Sequence, residues 1–263
     1  MTAQVLLIHG PTASGKSALA LALARALDGE IINADALQVY ADLRILTARP
    51  DDADLAAAPH HLYGYVDAAQ SFSVGRWQEA ALATIADCRA RGRVPILVGG
   101  TGLAFASLTE GLAEIPTIPD TIRSAAREEA THDPDAALAR LRRIDPITGA
   151  RLFPADAVRI ARALEVWDAT GRTIADWQAE TRPALSEDAW LGIALAPPRA
   201  ALYATINTRF AQMLDQGAVD EACRLWARNL PRDLPVMKAH GMPWLAQHFD
   251  GTLDLETATT LAC

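Results

Sequence analysis

Lysine is nearly missing from this 263-residue chain, because arginine supplies all but two of its 24 basic side chains and only Lys16 and Lys238 remain. Such a bias follows genome composition more than function, so a lysine in a chemically useful place stands out. Positive charge is short overall as well. Against 32 acidic residues the formal charge is −8, which excludes a surface that holds nucleic acid by bulk electrostatics, since that binding displays a basic footprint. Any RNA would need a local site. Cys88, Cys223 and Cys263 stand far apart, in no CxxC or Cys/His arrangement, so neither a zinc cluster nor a disulfide framework is indicated and a reducing cytoplasm fits. No apolar run reaches the length of a membrane span, and no charged leader precedes QVLLIHG, so a soluble, cytoplasmic protein without a membrane partner is expected.

The first hundred residues alternate short apolar runs with helical patterns: QVLLIH, SALALALARAL, EIINAD, then TIADCRARG before VPILVGG. Strand, helix, strand in this order predicts a parallel sheet wound with helices, whose ligands gather at the carboxyl ends of the strands. From Thr117 to Pro183 the texture becomes helical throughout, and the segment is near neutral, with 10 arginines against 11 acidic residues. WLGIALAP at 190–197 resumes strand character, and TINTRFAQMLDQGAVDEACRLWARN reads as one long amphipathic helix. The expected fold is α/β: a P-loop NTPase-like parallel sheet flanked by helices, built from 1–116 and 184–263, with an all-helical insertion domain at 117–183. The chain stops at LETATTLAC inside a plausible helix with no stop signal, so a shortened C-terminus is expected.

Gly10-Pro11-Thr12-Ala13-Ser14-Gly15-Lys16-Ser17 satisfies G-x-x-x-x-G-K-[ST] between an apolar strand and a helix, the context that makes the motif a phosphate cradle. Backbone amides and the helix N-terminus attract phosphate oxygens, Lys16 adds charge, and Ser17 can ligate Mg²⁺. Most such loops serve ATP or GTP and pair with a second strand ending on a magnesium-binding Asp, but VPILVGGTG ends on glycines and Thr101. Asp35, just past EIINA, would reach the same sheet edge as a magnesium ligand or general base; equally it could cap a helix, with Gln38 completing a capping box. VGGTG at 98–102 is either a close approach to ligand or a plain strand-to-helix turn. His60 and His61 invite a metal reading, weakened because adjacent histidines point apart on a strand and further ligands are lacking nearby. Arg159 and Arg162 share a helical face that is most simply solvated, and Arg209 is ambiguous by itself.

With these residues in view the chain resembles the tRNA dimethylallyltransferases over nearly its whole length. GPTASGKS, D-x-x-Q-V-Y at 35–40, T-A-R-P at 47–50, PHHL at 59–62, ILVGGTGL at 96–103, RIARALEV at 159–166 and M-x-x-x-G at 213–217 fall in the family's order and at family-like spacing. The resemblance implies that the loop holds dimethylallyl diphosphate, with Mg²⁺, and that the acceptor is N6 of the adenosine 3′ to the anticodon. It implies that Asp35 is the base, that Arg209 meets the diphosphate, and that Thr12 and Thr101 lie near the reacting centre. It places tRNA contacts at Asp35, Ala36, Leu37, Gln38, Thr101, Arg123 and the segment Arg159, Ile160, Ala161, Arg162, Ala163. The family usually has Ser where Ala36 stands, His240 and Trp244 are unusual in it, and it continues beyond this C-terminus into a basic helix. A monomer is the default expectation. Competing readings are a small-molecule kinase using ATP, isopentenyl transfer to free adenine nucleotides, and a nucleotide-dependent RNA-binding switch without catalysis.

Overall fold

The computed structural model describes residues 4–262; Cys263 and the first residues of the expected core lie outside them. The chain divides into two compact units, one running to Thr109 and resuming at Leu185, the other spanning Glu110–Ala184.

In the first unit the strands are β1 (Val5–His9), β2 (Gly29–Asn33), β3 (His60–His61), β4 (Val94–Gly99) and β5 (Trp190–Ala194). Among the described residues they form one sheet in the order β3-β2-β4-β1-β5, every pairing parallel. Period-2 alternation sorts the strand side chains: Leu6, Ile8, Ile31, Ile96 and Val98 pack with Ala20 and Ala24 of α1 (Lys16–Leu27), while Val5, Leu7, Ile32 and Leu97 enter the larger cluster of Trp77 and Ile85 on the other face. A strand covered on both faces carries apolar side chains at successive positions, which is why these runs look continuous in the sequence. Helices α2 (Asp52–Ala57), α3 (Val74–Ala90) and α4 (Gly102–Thr109) complete this half.

The connections set the functional edge. Crossovers carry the chain from β1 past β4 to β2, and later from β4 past β1 to β5, so the chain diverges between β1 and β4. That divergence opens a crevice at the carboxyl ends of the two strands.

The second unit holds α5 (Asp120–His132), α6 (Pro134–Ile144), α7 (Pro146–Gly149), α8 (Ala157–Thr170) and α9 (Ile174–Ala179). Its core is small side chains and leucines: Ala126 and Ala130 of α5, Leu138 and Leu141 of α6, and Ile160 and Leu164 of α8. Residues 110–116 go with this unit, against the expected boundary at 117. Gly111, at φ +102°, lies so close to Arg182 that a Cβ would meet its carbonyl oxygen at 2.3 Å, and this contact closes the two ends of the segment together.

After β5, the first unit continues through α10 (Arg199–Asp215), α11 (Ala218–Ala227), α12 (Met242–Phe249) and α13 (Leu255–Ala262). The long helix expected after β5 is therefore two helices. Gly217 sits at φ +96°, a left-handed conformation that ends α10 and starts α11 in a new direction. No helix among the described residues is long and apolar enough to cross a membrane.

Candidate active site

The phosphate loop leaves β1 at Gly10, where a Cβ would stand 2.7 Å from Ser14 Oγ and 3.1 Å from Leu195. A larger residue there would have to displace the Ser14 hydroxyl and crowd Leu195. Gly15 takes φ +86°, and Ala13 takes φ +64°, a left-handed conformation costing a non-glycine residue about 1–2 kcal/mol. Alternating hand in this way turns successive amides into one concavity, the geometry that binds anions. Ser14 closes the turn by donating its amide to the Pro11 carbonyl at 3.3 Å, and its buried hydroxyl has no protein partner.

Two cations face this loop. Lys16 Nζ donates to the Pro11 carbonyl at 3.1 Å; burial lowers its pKa, with Asp35 opposing the shift and Arg209 adding to it. Arg209, from α10, is only partly exposed, and burial lowers its pKa as well. Among the described residues the Arg209 side chain makes no hydrogen bond and no ion pair. Two desolvated cations that feel each other electrostatically, with one carboxylate nearby, leave positive charge for an anion to satisfy.

Asp35 follows β2 in an extended turn. The sequence allowed it to cap a helix with Gln38 in a capping box, but no helix forms there: residues 36–39 are bends and turns, and Asp35 Oδ1 accepts the Leu37 amide at 2.9 Å. The side chain therefore closes an Asx turn. Its backbone is clamped by the fully buried Asn33, whose Oδ1 accepts the Asp35 amide at 2.9 Å and whose Nδ2 donates to the carbonyls of Asp35 and Leu62, both at 3.0 Å. Gly99 brings β4 against this segment, since a Cβ there would lie 2.1 Å from the Ala34 carbonyl oxygen. Thr101 Oγ1 then accepts the Ala36 amide at 3.2 Å, as α4 starts in a strand-to-helix turn. From Gly100 a Cβ would be 3.5 Å from Gly10 O and 3.9 Å from Asp35 Oδ2, so the ends of β1, β2 and β4 converge on one point.

A cavity of about 240 Å³ occupies this convergence, lined by Thr12, Lys16, Ser17, Asp35, Arg209 and His240 among others. It shares Ser17, Gln38, Arg209 and Met213 with a polar chamber of about 500 Å³. A third, apolar recess of about 190 Å³ has Asp35 and Thr101 at its wall and Phe72, Val74, Trp77 and Leu103 as its lining. Asp35 thus borders both a cationic cavity and an apolar one.

The remaining expected residues fall in different settings. Gln38 Nε2 donates to the carbonyls of Thr47 and Ala48, at 2.8 and 3.0 Å, which ties D-x-x-Q to T-A-R-P. Ala36 is exposed and Leu37 partly so. In the helical unit, Arg123 pairs with Asp120 at 2.8 Å, Arg159 with Asp156 at 3.6 Å and Arg162 with Glu165 at 2.6 Å. Ile160, Ala161 and Ala163 are buried in that unit's core, so of the segment 159–163 only the arginines have side chains that reach a partner outside it.

Sequence reasoning missed several positioning groups. Asn33 could have been suspected as a polar residue ending a buried strand. Glu221, from α11, is buried and accepts the amides of Arg44, Ile45 and Leu46 at 2.6–3.0 Å; only the fold brings it there. His61 does have further donors beside it, contrary to expectation: Glu30, His61 and Cys88 present ligand-type atoms within 4.8 Å of one another. Arg91 already neutralises Glu30 through both carboxylate oxygens, so the cluster is a satisfied charge network.

A P-loop core in which Lys16, Arg209 and a turn-held carboxylate share one cavity belongs to the class of anion-binding sites with a candidate base beside them. Comparison with known proteins gives the particular family. The IPP transferase family matches residues 38–262, and the isopentenyl transferase family matches residues 3–63. A tRNA dimethylallyltransferase of Rhodopseudomonas palustris is 55% identical over 97% of this chain and 80% of its own length. That of Hyphomonas neptunium is 48% identical over 98% and 82%. Among solved structures, the tRNA isopentenylpyrophosphate transferase of Bacillus halodurans is 32% identical with a TM-score of 0.67, over 98% of this chain and 81% of that one. A eukaryotic dimethylallyltransferase acting on tRNA is 26% identical with a TM-score of 0.80, over 99% and 67%. The chain belongs to the IPP transferase family.

Proposed function

We propose that the protein transfers a dimethylallyl group from dimethylallyl diphosphate to N6 of adenosine-37, immediately 3′ of the anticodon, in tRNAs reading codons that begin with U. Diphosphate is released. The observation that carries the reading is the unpaired Lys16–Arg209 charge over the phosphate loop, facing Asp35 across one cavity. Family membership supplies the prenyl donor and the tRNA acceptor.

An adenine amino group is a feeble nucleophile, since its lone pair is drawn into the ring. Asp35 takes the N6 proton as the new N6–C1 bond forms, help worth about 10²–10⁴-fold. The C1–O bond breaks with its electron pair leaving on diphosphate, and the loop amides, Lys16 and Arg209 receive that charge. Thr12 and Thr101 flank the reacting atoms. The magnesium ion fits the donors present: Ser17, exposed at the start of α1, and Asp35 line the same cavity, and a bound Mg²⁺ would neutralise diphosphate oxygens there. The apolar recess beyond Asp35 suits a flat base taken out of its stack, which costs a few kcal/mol.

In this reading the helical unit holds the anticodon stem and loop through Arg123, Arg159 and Arg162, while Asp35 to Gln38 and Thr101 meet the target nucleotide. The enzyme acts in the cytoplasm as a monomer. Mass spectrometry of nucleosides tests the proposal, using unmodified tRNA with adenosines after the anticodon, Mg²⁺ and dimethylallyl diphosphate, beside an ATP-only reaction. A dimethylallyl mass gain on adenosine only with the allylic donor is the expected result. ADP formation dependent on a small alcohol, with no gain, would replace this reading by the kinase.

A further inference from the structure

The loop joining α7 to α8 displays an aromatic ring that no packing requires. Leu152 is buried in the helical core, whereas its neighbour Phe153 is 70% exposed, Val158 is 84% exposed and Ile147 is 60% exposed. Bare apolar side chains of this size on α7, on the joining loop and in the first turn of α8 offer a contact surface. The backbone that carries the ring is held in place. Asp156 Oδ2 accepts the Phe153 amide at 3.0 Å, and the Phe153 carbonyl accepts the Asp156 amide at 2.8 Å. Both backbone groups of Phe153 are thereby fixed by one residue, so less main-chain freedom is left to lose on binding.

The exposed charge in the same stretch of chain is mainly positive. Residues 142–159 contain Arg142, Arg143, Arg151 and Arg159, all exposed, against two aspartates. Asp145 is buried, with its oxygens accepting the amides of Thr148 at 2.9 Å and Ala175 at 3.2 Å. Asp156 is engaged with Phe153 and holds Arg159 only loosely, at 3.6 Å. A chain of net charge −8 therefore has a local cationic patch with an exposed ring in its middle.

We infer that this patch is a stacking platform for unpaired RNA: one base of the anticodon loop stacks on Phe153, and Arg151 and Arg159 take flanking phosphates. The inference rests on the tRNA reading and deepens it. An aromatic face among arginines suits a single-stranded polynucleotide, because stacking accepts any base and the arginines track the backbone. Phe153 and Val158 do not enter the helical core, so their exposure serves no folding purpose visible in the unit.

The test uses the full chain and an anticodon stem–loop carrying 2-aminopurine at each unpaired position in turn. At one position the wild-type protein should quench fluorescence on binding, as stacking does. Phe153→Ala should abolish that quenching and weaken binding by roughly ten- to a hundred-fold, with KM for tRNA raised and kcat little changed. Phe153→Tyr should restore both signals, which a purely structural role would not predict. Arg151→Ala and Arg159→Ala should each lower the salt slope of binding by about 0.7, the single-strand value per phosphate. Phe153→Ala that binds and modifies tRNA like wild type overturns the platform while leaving the tRNA reading intact. A wild-type protein that neither binds nor modifies tRNA overturns both.

Discussion

The two units differ in where most of their working polar groups lie. In the core, polar side chains hold irregular backbone: Asn33 clamps the Asp35 turn, Gln38 ties it to Ala48, and Glu221 accepts three amides of the 44–46 turn. Asn33 and Glu221 are buried and have no water to fall back on, so those two positions are expensive to disturb. In the helical unit Asp145 and Glu165 are buried, but the exposed arginines stand in pairs one turn apart such as Arg123–Asp120 and Arg159–Asp156. Pairs of that kind are worth only about 0.2–0.5 kcal/mol, so an arginine can exchange its carboxylate for a phosphate at small cost. The comparison teaches that the core fixes atoms for chemistry, while the helical unit packs a simple apolar seam and keeps its cations exchangeable.

Removing the reacting carboxylate should break the core's half of this contrast most severely. Asp35→Ala is expected to reduce transfer by about 10²–10⁴-fold in single-turnover kinetics, with tRNA binding within a few-fold of wild type. Turnover near wild type would remove Asp35 from its role as base. On the helical side, Leu164→Ala hollows the fully buried seam between α5, α6 and α8 and should cost about 2–5 kcal/mol of stability by calorimetry. An unchanged unfolding profile would mean that the seam does not hold the unit together.

Acid should loosen the core through Glu30. Its hydrogen bonds to Arg91 hold the carboxyl down from an ordinary 4.5 to about 2, against the effect of burial, with His61 helping. A depressed folded pKa contributes stability that is complete above pH 4.5 and is lost as pH falls through about 2. Glu30→Gln should therefore cost about 2–3 kcal/mol at neutral pH and flatten the decline in urea midpoint between pH 5 and 2. An equally steep decline in the variant would assign it to other carboxylates. Asn33→Ala should cost a little over about 1 kcal/mol and lower kcat by releasing the Asp35 turn, whereas lost stability with unchanged kcat would make Asn33 merely structural. The smallest effect sharpens the other half: Arg159→Ala should leave the melting temperature unchanged within about 0.5 kcal/mol while reducing the salt dependence of tRNA binding.

Much of this was legible before the fold was seen. The phosphate loop, β1, β2 and β4 and the helical texture of the insertion are local patterns, set by backbone geometry and side-chain period over a few residues. Asp35 was legible as a strand-end carboxylate but not as the head of an Asx turn, because a helix cap and a turn offer the same residue the same amide two or three positions on. Gly217 was hidden for a related reason. Amphipathic period runs through α10 and α11 alike, and only the left-handed φ of one glycine separates them.

The sequence by itself determined that an anion would bind after β1 and that one helical block would be set apart from a wound sheet. Only the tertiary structure decided that Arg209 comes to the phosphate loop without a partner, that Glu221 braces a turn from the far end of the chain, and that Phe153 points outward while Leu152 points in. Local propensity carries no information about which distant side chain will satisfy a buried amide or a desolvated charge. That pairing is settled when packing removes water, and it takes whatever partner the fold has brought within reach.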